Sequence, residues 1–218
     1  MSAGGSAATG AVSETGLSPS VEGLRARFPG AVQRAVVSCG DTIVYVDAAR
    51  AHELLAWLRD DPSQQFDYLT DITAVEYRDE ERPLEVVWQL RSLARRQDLR
   101  VKTELAKDAP LEVESVYDLW RGADWLEREV FDMFGVSFRG HPDLRRILMW
   151  ETYREGFPLR KHFPLRGHFN RAEQTRQALA ANPEAHYSLE ELSIAAAYEE
   201  LPADMKERLA RGERGEVA

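Results

Sequence analysis

Cysteine is almost missing from this chain of 218 residues, which contains only Cys39. One thiol cannot form an internal disulfide, and by itself it cannot hold an iron–sulfur cluster or a structural zinc. No run of about 18 apolar residues occurs, so the sequence predicts no membrane-spanning helix. Neither lysine nor arginine precedes Arg25, and we therefore expect no secretory signal and no mitochondrial transit peptide. Together these absences favour a reducing compartment.

Positive charge is also in short supply. The chain has 28 basic and 37 acidic residues, a formal net charge of −9, which argues against a general surface for nucleic acid or anionic membrane. Nothing resembles a phosphate-binding Walker loop, a serine triad or a dinucleotide fingerprint. The hydrophobic fraction of 44% is sufficient for one core.

Four segments are predicted along the chain. Residues 1–17, rich in Gly, Ser, Ala and Thr, are expected to form a disordered leader. Residues 18–138 are expected to form an α+β domain, residues 139–171 an extended partner-binding arm, and residues 172–218 a helical or partly disordered tail. Within the tail, helical patterns occur at 189–201 and 203–209.

The domain shows both helical and strand periodicity. Ser18-Pro19 predicts a helix start, and Asp47 can cap a second helix. Residues 33–38 and 42–46 predict a hairpin, while 84–90 and 99–105 alternate regularly between apolar and polar residues. With a further strand near 72–77, these last two predict a three-stranded antiparallel meander. The predicted fold class is α+β, a mainly antiparallel sheet covered by helices, followed by an extended irregular arm and a short helical C-terminal tail.

Residues 111–135 are predicted to be helical. Asp124 and Glu127 have the spacing of a capping box. Arg128 and Asp132 are placed to pair at i,i+4, and Gly135 can end the helix.

No regular period holds from Arg139 to Arg171, where glycine and proline recur. The stretch contains eight basic and three acidic residues, and a structureless segment of this length is usually functional or disordered. Its aromatic and aliphatic side chains are too apolar to remain solvated, so we expect another protein to bury them.

Catalytic alternatives are less favoured. A metal site would draw on His141, Asp143, Glu151, His162 and His168, but no compact ligand pair such as His-x-x-x-His is present. Glu127 and Glu129 are two apart on a helix and point to different sides, so they cannot share a substrate. The rival hypothesis is a stand-alone hydrolase or nucleic-acid-binding protein that uses the basic, histidine-containing loop 139–171.

One dense motif resembles a known family. It runs through ERE-VFDMFGV at 127–136, GHP at 140–142, RIL at 146–148, PLRK at 158–161 and FP at 163–164, and FDYLTDITAVEY at 66–77 adds to it. The motif resembles the 30 kDa subunit of respiratory complex I, the enzyme that in bacteria is called NADH–quinone oxidoreductase. The resemblance covers roughly residues 30–166, and His162 stands where the family usually has an acid.

The resemblance implies a non-catalytic subunit of the peripheral arm of complex I, on the cytoplasmic side of the bacterial cell membrane. It implies contact with the quinone-site subunit and other peripheral-arm subunits, no nucleic acid, and a membrane link only through the complex. FMN and iron–sulfur clusters would lie in partner subunits, with no cofactor, metal or catalytic residue in this chain. We expect the partner interface to comprise Glu127, Arg128, Glu129, Asp132, Phe134, His141, Arg145, Arg146, Arg160, Lys161, Phe163 and Pro164.

Overall fold

A computed structural model describes residues 16–77, 84–106 and 110–181, together with positions 203 and 206. The chain divides into two compact units, residues 1–168 and 169–218. In the second unit the described element is helix α4 (Arg171–Ala181), and most of the predicted helical patterns at 189–201 and 203–209 lie outside the described residues.

The first unit contains three helices and seven strands among its described residues. The helices are α1 (Pro19–Arg27), α2 (Ala51–Asp60) and α3 (Ala123–Phe134). The strands are β1 (Val32–Ser38), β2 (Asp41–Val46), β3 (Tyr68–Glu76), β4 (Leu84–Ser92), β5 (Gln97–Leu105), β6 (Glu112–Glu114) and β7 (Ser137–Arg139).

Five strands form one mixed sheet in the order β1-β2-β5-β4-β3. The predicted hairpin β1–β2 and the predicted meander β3–β4–β5 are both antiparallel, and a parallel pairing of β2 with β5 joins them. Strands β6 and β7 form a separate parallel pair. The α+β class and the mainly antiparallel sheet are confirmed.

Apolar residues of the three helices pack on one face of the large sheet. Leu24 of α1, Leu54 of α2 and Val130 of α3 belong to the same buried cluster as Trp88 and Val101 of the sheet. At roughly 1.5–3 kcal/mol for each fully buried large aliphatic or aromatic side chain, this cluster is the main source of stability. The sheet and its helices therefore form one hydrophobic core.

Helix starts in the first half of the domain follow the sequence. The hydroxyl of Ser18 accepts a hydrogen bond from Ser20 N, and Pro19 occupies the first helical position. The carboxylate of Asp47 accepts from Ala49 N and begins a 3₁₀ turn that leads directly into α2. Short polar side chains at these positions satisfy backbone N–H groups that have no partner within the helix.

The prediction that residues 111–122 are helical is wrong, whereas the helix expected between Asp124 and Gly135 is present. Strand β6 and a series of turns occupy residues 112–122, and α3 begins only at Ala123. Its N-cap, Gly122, makes no side-chain cap. The capping box is also wrong, because the Glu127 carboxylate binds Ser115 and Val116 instead of the helix start. The end of the helix is as predicted, since Gly135 adopts a left-handed φ of 79°.

The alternation in residues 84–90 predicts a polar face of β4 that contacts solvent, but this face is in part buried. Glu85 is only 2% exposed, and its carboxylate accepts hydrogen bonds from Lys102 Nζ (2.8 Å) and Tyr77 Oη (3.0 Å). Burial lowers the pKa of Lys102, but the hydrogen bond to Glu85 and the charge of that carboxylate outweigh burial, so the net pKa is raised. Lys102 thus keeps its charge, and the contact provides a buried partner for two side chains that alternation alone would have placed in water.

Among the described residues, none of the helices combines the length and the apolar character needed to cross a bilayer.

Candidate functional site

The irregular arm begins after β7, and within the first unit it folds back along helix α3. Asp132 is fully buried at the centre of this contact. One of its carboxylate oxygens binds Arg146 Nη1 at 2.5 Å. The other accepts from three successive backbone N–H groups, those of Ile147, Leu148 and Met149, at 2.8–3.1 Å. A single carboxylate therefore fixes the path of four consecutive arm residues, in place of the predicted pair with Arg128.

Arg146 is held from several sides. Its Nη1 also donates to the backbone carbonyl of Asp132 at 3.2 Å, and its Nη2 donates to the carbonyl of Gly156 at 3.0 Å. The guanidinium carbon lies 5.1 Å from the ring centre of Tyr153 and 5.3 Å from that of Phe157. Because arginine is a planar donor that also stacks on aromatic rings, it joins helix and arm in a way that lysine could not.

Arm residues also cap the C-terminal end of α3. The last carbonyls of a helix lack partners within it. Here the carbonyl of Met133 accepts from Leu159 N (3.1 Å), and that of Phe134 accepts from Arg160 Nη1 (3.2 Å). Two cations, Arg146 and Arg160, thus lie at the negative end of the helix dipole, where positive charge is favoured.

A second ion pair ties the arm to strand β3. Arg160 Nε lies 3.0 Å from Glu76 Oε1, with both side chains largely buried, and the other oxygen of Glu76 accepts from Lys161 N. Glu76 is the last residue of β3. The segment Pro158-Leu159-Arg160-Lys161 is therefore attached to both the helix and the sheet of its own chain.

A glycine makes the close approach of the arm possible. A Cβ atom at Gly135 would overlap the Phe157 ring, which real side chains do not tolerate. Because Gly135 also has a positive φ, a side chain at this position is excluded on two grounds. Phe157 packs edge-on against Phe131 with ring centres 6.4 Å apart, so the arm contributes some apolar packing to α3.

Glu127 and His141 form a buried polar cluster at the other end of the helix. The Glu127 carboxylate accepts from Ser115 Oγ and Val116 N, both at 2.7 Å. Burial raises the pKa of Glu127 to about 7, even though these two hydrogen bonds lower it. His141 Nδ1 accepts from Asp143 N, so its proton is on Nε2, which lies 3.2 Å from the carbonyl of Asp124 and 4.0 Å from Glu127 Oε2.

Some of the remaining predicted site residues contact other parts of their own chain, and others are exposed to solvent. Arg128 is buried and donates to the carbonyls of Arg145 and Arg146, each at 3.2 Å. Phe134 is buried in the core, and Phe163 is half-buried with its ring centre 5.1 Å from that of His168. The exposed members are Glu129, Arg145, Lys161 and Pro164. Whether these residues contact a partner stays a prediction.

The arm buries part of its own apolar surface, which corrects the expectation that another protein must bury all of it. Tyr153 is 3% exposed, and Leu144 and Met149 pack against the core cluster. By contrast, Leu148, Leu159 and Leu165 are exposed. The unburied remainder is what a partner could cover.

Sequence reasoning missed Glu76 and Ser115. Both are ordinary polar residues at strand ends, and they meet their partners Arg160 and Glu127 only after long-range folding. An acid at 76, inside a motif that resembles the family, was the available signal for the first, whereas nothing in the sequence singled out the second.

The geometry does not assemble the residues of the metal hypothesis. Among the described residues, no group of three His, Cys, Asp or Glu side chains is placed to hold a metal ion.

A cavity of about 430 Å³ lies on the sheet face away from the helices, where Arg100 and Lys102 are among its lining residues. Both cations are already paired, Arg100 with Asp41 and Lys102 with Glu85.

Comparison with known proteins identifies the family. A profile described as "Respiratory-chain NADH dehydrogenase, 30 Kd subunit" matches residues 44–169, more than half of the chain. The NADH-quinone oxidoreductase subunit designated C of Rhodopseudomonas palustris is 40% identical over 140 residues, covering 64% of this chain and 69% of the relative. The protein of the same name from Roseiflexus is 43% identical over 141 residues, covering 65% and 80%.

A solved structure has a similar fold. It belongs to the membrane-bound sulfane sulfur reductase, described as an archaeal respiratory membrane complex, with a TM-score of 0.56 and 23% identity over 72% of this chain and 88% of the other. At this identity the likeness concerns the fold alone. The sequence matches go further, and they confirm the resemblance found in the motif at 127–164: this chain belongs to the 30 kDa subunit family of respiratory-chain NADH dehydrogenase, also called complex I.

Proposed function

We propose that this chain is a non-catalytic subunit of the peripheral arm of a proton-translocating NADH:quinone oxidoreductase, where it braces the subunit that forms the quinone site. Electrons would pass from NADH through flavin and iron–sulfur clusters in other subunits to quinone. The complex would hold this chain at the cytoplasmic side of the bacterial cell membrane, with no direct insertion into the bilayer.

The observation that carries the proposal is the attachment of the arm. A segment without regular secondary structure is fixed to its own domain by Asp132, Arg146, Arg160 and Glu76, yet it leaves leucines exposed. A preshaped surface binds a partner at a lower entropic cost than a flexible one. The buried charges act within the chain, while the exposed side chains remain available to a neighbour.

The charges of the arm also support a role without chemistry. Arg146 and Arg160 are both engaged in ion pairs, and the buried acid Glu127 accepts from Ser115 and Val116. A catalytic acid or base must reach the atom from which it takes a proton. These groups instead face neighbouring parts of the same chain.

The test is purification of the complex through this chain. A tag placed at the N-terminus of the full chain in the native host should recover NADH:quinone reductase activity from detergent-solubilised membranes, together with the flavin- and cluster-containing subunits. Recovery of the chain alone, with the activity remaining in the unbound fraction, would contradict the proposal. Purified separately, the chain should carry no stoichiometric iron, zinc or flavin after a chelator wash.

Cross-linking can test whether the arm contacts the quinone-site subunit. The chain has four lysines, at 102, 107, 161 and 206, and Lys161 is the lysine of the arm. An amine-reactive cross-linker should join Lys161 to the quinone-site subunit in the intact complex, and a Lys161→Arg variant should lose that product while assembling normally. Products that join Lys161 only to subunits remote from quinone would overturn the bracing role.

A further inference from the structure

Residues 159–168 of the arm, which we call the outer segment, carry two cations that no described carboxylate neutralises. The segment has no acidic residue. Lys161 and Arg166 are exposed, and within the described residues their side chains form no ion pair. Some other exposed arginines are paired with carboxylates of the same chain: Arg34 with Glu104, Arg91 with Asp98 and Arg139 with Glu112. Arg95 and Arg96 are exposed and, like Lys161 and Arg166, form no ion pair with a described residue.

The same segment exposes apolar side chains beside these cations. Leu159 is 52% exposed, and Leu165 is fully exposed. A single exposed leucine is ordinary on a protein surface. Two exposed leucines and two exposed cations within eight residues, the cations without an ion pair to any described residue, form a composition typical of a binding surface, where apolar contacts are combined with charge complementarity.

The backbone of the outer segment has a fixed starting point. Leu159 N is bound to the carbonyl of Met133, and Arg160 is tied to Glu76. Two turns follow, closed by hydrogen bonds from Phe163 N to Arg160 O and from Gly167 N to Pro164 O. The four exposed side chains are therefore presented on a shaped loop and not on a free coil.

We propose that the outer segment docks on an acidic protein surface of a neighbouring subunit, with carboxylates opposite Lys161 and Arg166 and apolar pockets for Leu159 and Leu165. This inference rests on the proposed function and deepens it by stating the chemistry of the partner. A shaped loop favours a protein over a lipid surface, because headgroups need no defined spacing. The net charge of −9 also opposes attraction of the whole chain to an anionic membrane.

The experiment reverses or removes these features in the full chain, expressed in the native host in place of the wild type. One variant carries Lys161→Glu with Arg166→Glu, and a second carries Leu159→Ser with Leu165→Ser. A milder variant carries Lys161→Gln with Arg166→Gln. The readouts are the total amount of the chain in cells and the fraction found in the assembled complex on native gels.

Matched controls come from the turn between β4 and β5. Leu93 is 57% exposed, close to the value for Leu159, and the neighbouring Arg95 and Arg96 are exposed as well. Leu93→Ser and the pair Arg95→Glu, Arg96→Glu alter exposed side chains of the same types away from the arm. Both controls should leave total amount and assembled fraction unchanged, as expected for substitutions on an exposed surface.

We expect the charge-reversed chain to enter the complex at roughly a tenth of the wild-type level or less, because like charges would then face each other. The glutamine pair should retain an intermediate fraction, and the serine pair should fall several-fold, all at normal total amounts. Normal assembly of the charge-reversed and serine variants would overturn the proposal. A second outcome would also overturn it. If the wild-type chain binds phosphatidylglycerol vesicles, and charge reversal abolishes this binding but leaves assembly normal, then the outer segment binds lipid and not a protein. If the wild-type chain itself is absent from the NADH:quinone oxidoreductase, that result contradicts the proposed function and not only the docking of the outer segment.

Discussion

In the α+β domain the fully buried side chains are largely apolar, with Trp88, Leu54 and Leu99 among the largest, whereas the arm exposes Leu148, Leu159 and Leu165. The arm is attached mainly by polar contacts: Asp132 with Arg146, Glu76 with Arg160, and donors from the arm to the end of α3. Hydrophobic burial is non-directional, while ion pairs and hydrogen bonds fix angles. The domain therefore supplies stability, and the polar contacts supply the shape of the arm.

This difference implies that the two regions can be disturbed separately. Loss of apolar volume in the domain should unfold the first unit as a whole, since one core serves the sheet and all three of its helices. Loss of a polar anchor should release the arm and leave the sheet intact, because local opening costs less than global unfolding.

The largest effect is expected for Trp88→Ala. Trp88 lies in the central part of the sheet and is fully buried, and truncation of such a residue typically costs about 3–5 kcal/mol in the free energy of unfolding. Urea unfolding followed by circular dichroism should show a lower midpoint for the entire transition, whereas the exposed control Leu93→Ala should shift it little. A loss confined to the arm, with the sheet transition unchanged, would contradict a single shared core.

Asp132→Asn should release the arm. The substitution keeps the size of the side chain but leaves the Arg146 guanidinium without its carboxylate, and breaking a buried pair typically costs about 3–5 kcal/mol. Because that cost can be relieved by local opening, limited trypsin digestion should cut at Arg145, Arg146 or Arg154 much faster than in the wild type.

The matched control for Asp132→Asn is Asp143→Asn. Asp143 is exposed and pairs with the equally exposed Arg145 at 2.8 Å, and such surface pairs contribute little to stability. The control should keep the wild-type digestion pattern. Equal protection of the arm in both variants would show that the Asp132 contacts do not hold it.

Glu127→Gln should change the pH dependence of stability. The folded-state pKa of Glu127 is raised to about 7 by burial, above the ordinary value of roughly 4.3 expected in the unfolded chain. The folded state thus binds the proton more tightly, so this contribution to stability is complete below about pH 4.3 and is lost as pH rises to about 7. The loss amounts to roughly 3–4 kcal/mol in wild type and should be absent from the glutamine variant.

The measurement is urea unfolding at a series of pH values between about 4 and 8 for both proteins. Titrating groups far from Glu127 contribute equally to both curves, so the difference between the curves reports on Glu127 and on its coupling to the charges beside it. A constant difference across this pH range would contradict a raised pKa of Glu127.

Ser115→Ala should lower the free energy of unfolding at every pH above the pKa of Glu127, because the ionised carboxylate then loses one of its two hydrogen-bond donors.

The smallest effect on folding is expected for Arg160→Lys. Lysine retains the charge opposite Glu76 but cannot also donate to the carbonyl of Phe134 with the same planar geometry. The variant should open the arm slightly, with proteolysis at rates between those of wild type and Arg160→Ala. Proteolysis of the arm at the same rate as in Arg160→Ala would mean that the contact depends on the geometry of the guanidinium and not on its charge.

Local patterns predicted local structure well. Alternation in residues 84–90 and 99–105 and the short turn near Gly40 predicted the meander and the hairpin, because these pairings join neighbouring segments. The parallel pairing of β2 with β5 could not be predicted, since it joins strands more than 50 residues apart. The loss of regular periodicity from Arg139 to Arg171 predicted an irregular arm, but not which of its charges face inward.

Glu127 shows why its contacts could not be predicted from the sequence. Asp124 and Glu127 have the spacing of a capping box, and the spacing alone cannot reveal that Ser115 and Val116 lie close enough to bind Glu127 first. Arg160 presents the same difficulty, since its partner Glu76 is 84 positions earlier in the chain. In both cases a tertiary contact overrides a local preference.

The most direct test of a structural role is Arg160→Ala in the native host, with two quantities measured separately: the abundance of assembled complex in membranes and the NADH:quinone turnover per assembled complex. Release of the arm from Glu76 and α3 should lower the abundance, because the outer segment then loses its fixed shape. The complexes that do assemble should turn over quinone at close to the wild-type rate. Normal abundance with a collapse of turnover per complex would contradict this, and would place Arg160 in the quinone reaction.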